Sequence, residues 1–215
     1  MTDSREFIAA RTARFLKDGD VVNLGIGIPT LVANYAPNGA ILHCENGLIG
    51  LGPKPIAGQE DKDFFDAGGG PITLIPGASV IDSASSWDLV RGGHISVTVL
   101  GALQVDEKGN LANWARTGKM VGMGGAMDLV SGAREVIVTM EHIAKNGSPK
   151  IMKQCTLPLT GAGVVTLIVT ELAVLRVMEG GVVLKEKAPG VSIEEIQSKT
   201  EARLNIPGSV PDMLC

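Results

Sequence analysis

Glu45-Asn46-Gly47 closes a short apolar run, Ala40 to Cys44. A carboxylate at the end of a buried strand stands where open α/β sheets bind their ligands. Beside it, Asn46 can orient the carboxylate and Gly47 can leave room for a substrate. The same residues also make a plain turn, with the carboxylate accepting from local amides. Both readings of Glu45 stand on the residues alone. Gly122-Met123-Gly124-Gly125-Ala126 is a second candidate. Successive glycines ahead of a helix let N–H groups converge on an oxyanion or phosphate, and a packing turn explains them equally well. Gly25-x-Gly27-x-x-Thr30, between a strand and a helix, is a third. Glu45 follows it by about twenty residues, where dinucleotide folds place a ribose-binding acid. The third glycine of that fingerprint is missing. What is left is a tight strand-to-helix turn whose helix N-terminus could face an anion.

Other chemistry fits less well. His43, Cys44 and Glu45 are adjacent, but strand neighbours point to opposite faces and make no triad. Cys44 has no evident base. His43, His94 and His142 lack zinc-site spacing. Gly118-Lys119 lacks the upstream glycine of a P-loop, and Val80 to Ser86 carries hydroxyls without a GxSxG elbow.

The elements that must position these residues alternate. Asp3 with Glu6 reads as a capping-box start and Gly19 as a stop, around Phe7, Ile8, Phe15 and Leu16 at helical spacing. Strands are expected at Val21 to Leu24 and Ala40 to Cys44, with a helix from Pro29 to Tyr35 between them. Residues 50 to 71, rich in Gly and Pro, are expected to lack regular structure. Further strands are read at Ile72 to Ile75, Ile95 to Leu100, Glu135 to Met140, Val164 to Thr170, Leu172 to Val177 and Val182 to Lys185. The last three form a hairpin-like succession turning at Gly180-Gly181. Helices are expected at Ala126 to Ser131 and from Ser192 to Leu204. This alternation predicts an α/β fold with an open, largely parallel sheet covered by helices. No linker or repeat divides the chain, so residues 1–215 read as a single domain.

Composition narrows the function. The 215 residues carry a net charge of −4 without a basic stripe, and one Tyr and four Phe offer few stacking surfaces, so nucleic acid is a poor partner. Charges interrupt the N-terminus, which excludes a signal peptide there. Leu159 to Val177, the most apolar stretch, is broken by Gly161, Gly163, Glu171 and Arg176 and reads as buried strands, not a membrane span. Cys44, Cys155 and Cys215 are widely spaced and odd in number, which suits a reduced, cytoplasmic protein.

Several blocks, in order, carry a resemblance over nearly the whole chain. They are Asn23-Leu24-Gly25-Ile26-Gly27-Ile28-Pro29-Thr30, Glu45-Asn46-Gly47 with Gly50-Leu51-Gly52, and Asp66-Ala67-Gly68-Gly69. Arg91-Gly92-Gly93-His94, Leu100 to Asp106 and Gly122 to Val130 follow. With these the chain resembles the β subunits of family I 3-oxoacid CoA-transferases, the acetate/butyrate–acetoacetate type. It departs from them in two places. Cys44, preceded by His43, stands where the family has a small hydroxyl residue, and Ala115 to Lys119 replaces a Val-Pro-rich stretch.

The resemblance implies that Glu45 is a nucleophile. CoA would pass between an acyl-CoA and a short-chain carboxylate by ping-pong steps through a glutamyl–CoA thioester. Gly124, Gly125 and Ala126 would contact the thioester region, with Asn46, Gly47, Gly25 and Gly27 in the substrate site. The reaction would need no metal and no redox cofactor, CoA being a substrate. An α-type subunit would complete the site in a hetero-oligomer. The alternatives are a sugar-phosphate isomerase-like enzyme of the same fold group and a non-catalytic scaffolding subunit.

Overall fold

Asp3 caps the first helix, α1 (Ser4–Ala13), its carboxylate accepting from the Arg5 N–H at 3.0 Å. The capping box with Glu6 does not form, because Glu6 accepts from the Tyr35 hydroxyl instead, at 2.7 Å. Ile8, Ala9, Thr12 and Ala13 form the buried stripe of α1. The computed structural model describes residues 3–116, 118–120 and 122–214. Cys215, and Thr117 in the departing Ala115 to Lys119 stretch, lie outside the described residues.

After α1 come β1 (Val21–Leu24), α2 (Ile28–Leu31), β2 (Ile41–Cys44), β3 (Leu48–Leu51), β4 (Leu74–Val80), α3 (Ser83–Arg91) and β5 (Val97–Leu100). The chain continues through β6 (Gln104–Asp106), β7 (Leu111–Ala112), β8 (Ala115–Arg116), β9 (Lys119–Met120), α4 (Ala126–Gly132) and β10 (Glu135–Thr139). It ends with β11 (Ile151–Met152), β12 (Leu167–Val169), β13 (Ala173–Met178), β14 (Gly181–Lys187), α5 (Ile193–Ser198) and β15 (Leu204–Asn205).

Ten strands make one sheet, ordered β15-β14-β13-β12-β10-β5-β1-β2-β3-β4. Its centre, β12-β10-β5-β1-β2, is wholly parallel, as the sequence predicts. From β2 to β4 and from β12 to β14 the flanks are antiparallel, because connections such as Glu45 to Gly47 and Gly180 are too short for a crossover, and β15 then adds in parallel at the edge of β14. Residues 52–73 lack regular strands or helices apart from an isolated bridge, but the irregular stretch expected at 50 to 71 is cut back at its start, because Gly50 and Leu51 belong to β3, which pairs back on β2, and β4 begins only at Leu74 and runs on to Val80.

Strand alternation sorts the core into two layers. On β10, Ile137 packs with Ile8 and Ala9 of α1, whereas Val136 and Val138 pack with Val90 of α3, Leu129 of α4 and Ile196 of α5. Val22, Leu24, Leu42, Cys44, Val97 and Val99 all belong to the α1 layer. Their alternates, Asn23, His43 and Thr98, therefore face α3 and α4.

The helices depart from expectation in several places: α1 ends at Ala13, short of Phe15 and Leu16, and α2 ends at Leu31 and runs on to Asn34 only as a 3-10 turn. α3 was not anticipated; Asp82 caps it, accepting from the Ser85 N–H at 3.0 Å and the Ser85 hydroxyl at 2.8 Å. α5 stops at Ser198, short of Leu204, because Leu204 pairs with Val182 of β14 at the sheet edge. Among the described residues no helix is long and apolar enough to cross a membrane. Leu159 to Val177 contains β12 and most of β13.

Candidate active site

The parallel neighbours β5, β1 and β2 end side by side at Leu100, Leu24 and Cys44. The chain leaves β1 toward β2 on one side and returns to β5 on the other. This reversal opens a crevice beyond the carboxyl ends of the strands. Gly25, Gly101 and Glu45 follow those three strand ends. They line a cleft of about 530 Å³ with Ile26, Leu100, Asn113, Met123 and the segment Gly124-Gly125-Ala126.

Of the residues singled out from sequence, the fold thus brings Glu45, Gly25, Gly124, Gly125 and Ala126 together. Asn46, Gly47 and Gly27 stand outside that lining. Asn46 donates to the Phe65 carbonyl at 2.9 Å and so pins the loop of residues 52–73, leaving Glu45 to another partner. Gly47, with φ 111°, packs its backbone on the chain just after β4: a Cβ there would lie 2.1 Å from the Ile81 carbonyl oxygen. That approach by itself requires glycine here. Gly25 is similar, since a Cβ would meet Leu100 Cδ2 at 2.9 Å. The helix after Gly27 is one short turn, too brief for a strong dipole.

Glu45 is half-buried, and its neighbour is Asn23, whose Nδ2 lies 3.5 Å from Glu45 Oε2. Asn23 in turn sits 3.2 Å from His43 Nδ1 and receives the Thr98 hydroxyl at 3.4 Å. His43 Nε2 reaches Ser86 Oγ of α3 at 2.9 Å. Burial lowers the His43 pKa from 6.5 to about 4, so the ring is neutral. His43 and Glu45 share one face of the sheet, and Cys44 points to the other. Burial raises the Cys44 thiol to about 11, which removes it as a nucleophile at neutral pH.

The glycine segment is held from α3 as well. Gly125 lies flat under Trp87: a Cβ would stand 1.9 Å from the indole. Arg91 of α3 donates to Asp128 of α4 at 2.9 Å, tying the two helices that carry these groups. Gly124 takes φ 51°, and the Ala126 N–H donates to the Met123 carbonyl at 3.3 Å, closing the turn before α4.

Asn23, Thr98, Ser86 and Trp87 were missed from sequence as site residues. The available signal was a polar residue in mid-strand on two apolar strands, Val21-Val22-Asn23-Leu24 and Val97-Thr98-Val99-Leu100. A larger cleft, of about 730 Å³, lies at the β13–β15 end between Glu107, Lys108, Glu179 and Arg203. It is remote from the parallel strand ends and from Glu45, so volume is a poor guide here. Among the described residues no group of three His, Cys, Asp or Glu could hold a metal.

This arrangement sets a carboxylate, with an amide nitrogen 3.5 Å away, against a backbone segment rich in N–H groups, in a cleft with apolar walls. Such a site suits nucleophilic attack on a carbonyl with charge building on its oxygen. Known proteins point the same way. The family described as coenzyme A transferase matches residues 5–199. The beta subunit of the acetate CoA-transferase of Escherichia coli K12 is 54% identical over 207 residues, covering 95% of this chain and 94% of that one. A probable succinyl-CoA:3-ketoacid coenzyme A transferase of Bacillus subtilis has a B-type chain that is 50% identical over 213 residues, covering 98% and 99%. The acyl-CoA transferase apoenzyme (YdiF) of Escherichia coli O157:H7 superposes with a TM-score of 0.79 at 22% identity, a likeness of fold. It covers 99% of this chain, which spans 43% of that longer one.

Proposed function

The chain belongs to the coenzyme A transferase family, and from that premise we propose that it is the β-type subunit whose Glu45 carries CoA between two carboxylic acids. The observation that supports this most is the meeting of Glu45 with Gly124-Gly125-Ala126 across one cleft. The Glu45 carboxylate attacks the thioester carbonyl of the donor acyl-CoA. The tetrahedral oxyanion collapses, the C–S bond breaks, and a mixed acyl–glutamyl anhydride and CoA thiolate result. The thiolate attacks the glutamyl carbonyl, releasing the donor carboxylate and leaving a Glu45–CoA thioester. The acceptor carboxylate runs the same steps backward. Every step is an acyl exchange between groups of similar activation, so the protein's residues and CoA suffice.

N–H groups of the glycine segment receive the oxyanion; one well-aimed donor is worth about a hundredfold or more in rate. The relatives are β-type chains of CoA-transferases, so an α-type partner completes this enzyme. Short-chain acids are the substrates, as the relatives' names suggest and as the apolar walls at Ile26, Leu100 and Met123 favour. The free thiols Cys44 and Cys155 favour the cytoplasm.

The test uses the complex with its α partner. Brief exposure to acetoacetyl-CoA should add the mass of CoA, less water, to the peptide containing Glu45, and acetate should discharge it. Glu45→Gln should form no adduct and lose turnover by about four orders of magnitude or more. A folded complex that forms no adduct with acetoacetyl-, butyryl- or succinyl-CoA would overturn the reading and favour an isomerase or scaffold.

A further inference from the structure

A row of polar side chains runs beneath the cleft, through strands that are otherwise apolar. Thr98, Asn23 and His43 occupy matching positions on β5, β1 and β2, and each is fully buried. Ser86, also fully buried, closes the row from α3. Burying four polar side chains is unfavourable unless each is satisfied, and aliphatic residues of similar size would pack as well. Donor and acceptor chemistry gives the row a direction.

Asn23 Nδ2 has three acceptors around it: His43 Nδ1 at 3.2 Å, the His43 carbonyl at 3.5 Å and Glu45 Oε2 at 3.5 Å. Turning the amide over would set its oxygen against a carbonyl and a carboxylate, so the nitrogen faces them. The Thr98 hydroxyl donates to Oδ1 on the other side. Nδ2 can only donate, so His43 Nδ1 accepts. The imidazole proton then sits on Nε2 and is donated to Ser86 Oγ.

We propose that His43 is a positioning residue: held by Ser86, and with Thr98 on the far side, it fixes the Asn23 amide so that its N–H is aimed at the Glu45 carboxylate and holds it in the attacking rotamer. This rests on the reading of Glu45 as nucleophile. His43 touches no reacting atom, and its effect is orientation passed through Asn23. Misplacement of a reacting group by about 1 Å is worth up to a hundredfold in rate. The 3.5 Å contact to Glu45 is long, and such contacts tighten in the Michaelis complex. A proton on Nδ1 would make the ring a donor facing another donor and drive the amide over. Burial prevents this across the physiological range.

The experiment compares variants in the complex with the α partner, using acetoacetyl-CoA as probe. It reads the single-turnover rate of adduct formation on Glu45, kcat, KM and Tm. His43→Leu should slow adduct formation and kcat by about tenfold or more, with KM for the acyl-CoA unchanged. His43→Asn, whose amide oxygen hangs from Cγ as Nδ1 does, should recover most of that loss. A purely structural histidine would lower Tm in both variants and leave kcat of the folded enzyme alone. Turnover of His43→Leu within about twofold of the parent would overturn the proposal. Should His43→Leu fail to assemble, Ser86→Ala and Thr98→Val decide it: slower adduct formation at constant KM supports the relay, and parental rates in both overturn it. A parent complex that forms no adduct fails the nucleophile reading itself, so the two failures are distinguishable.

Discussion

His43 and His142 are chemically alike and differently connected. Each is fully buried and has both ring nitrogens in hydrogen bonds, and burial lowers each pKa to about 4. At His142 the nearby Lys199 and Lys150 add to the effect of burial. His142 joins Thr170 Oγ1 at 2.9 Å to Thr200 Oγ1 at 2.9 Å. Those hydroxyls end on main-chain groups, Thr200 on the Ile196 carbonyl of α5 and Thr170 on the Ala173 N–H at the start of β13. That network therefore clamps three chain segments. The His43 network ends on the half-buried carboxylate of Glu45 instead. Burial and pKa alone do not separate a structural histidine from one that governs chemistry. What the hydrogen-bond chain terminates on does.

The sharpest test of this contrast beyond the two histidines is Gly125→Ala. The added methyl must displace Trp87, on the same helix that holds His43 through Ser86. Activity of the assembled enzyme should fall by about two to three orders of magnitude, with stability lowered by about 1–3 kcal/mol from the overpacking against Trp87. A loss under about tenfold would mean that the glycine segment does not set the rate. Acid should act on the His142 region as a stability effect. The unfolded chain binds a proton near pH 6.5 and the folded one near 4. This stability is therefore fully present above 6.5 and is lost as pH falls toward 4, by up to about 3 kcal/mol for His142. His142→Asn should flatten the fall of Tm between pH 6.5 and 4, and an unchanged slope would assign the acid sensitivity elsewhere. The smallest effect is His142→Leu at neutral pH. Losing two buried hydrogen bonds should lower stability by about 2 kcal/mol, measured by denaturant unfolding, with kcat unchanged. A kcat that falls with it would erase the distinction between the two networks.

Much of the site was legible because glycine and carboxylate patterns are local. Glu45 at a strand end and Gly124-Gly125 before a helix stand where the residues put them. α3 was legible in principle too: Asp82 with Ser85 is a cap, and Arg91-Gly92-Gly93 is a stop, with Gly93 at φ 73°. Asn46 and Gly47, expected in the substrate site, also meet Phe65 and Ile81, partners about twenty and thirty-four residues onward that only the fold brings near.

The sequence by itself determined the parallel centre of the sheet, the carboxylate and the glycine segment, since strand periodicity and backbone freedom are properties of neighbouring residues. Tertiary structure alone decided that Asn23, His43 and Thr98 form one row. They lie on three strands, of which β5 reaches the side of β1 only after a long excursion through β2 to β4 and α3, and register sets which face each side chain takes. The partner that completes Glu45 is thus a residue twenty-two positions earlier, fixed by a helix that begins thirty-eight positions later.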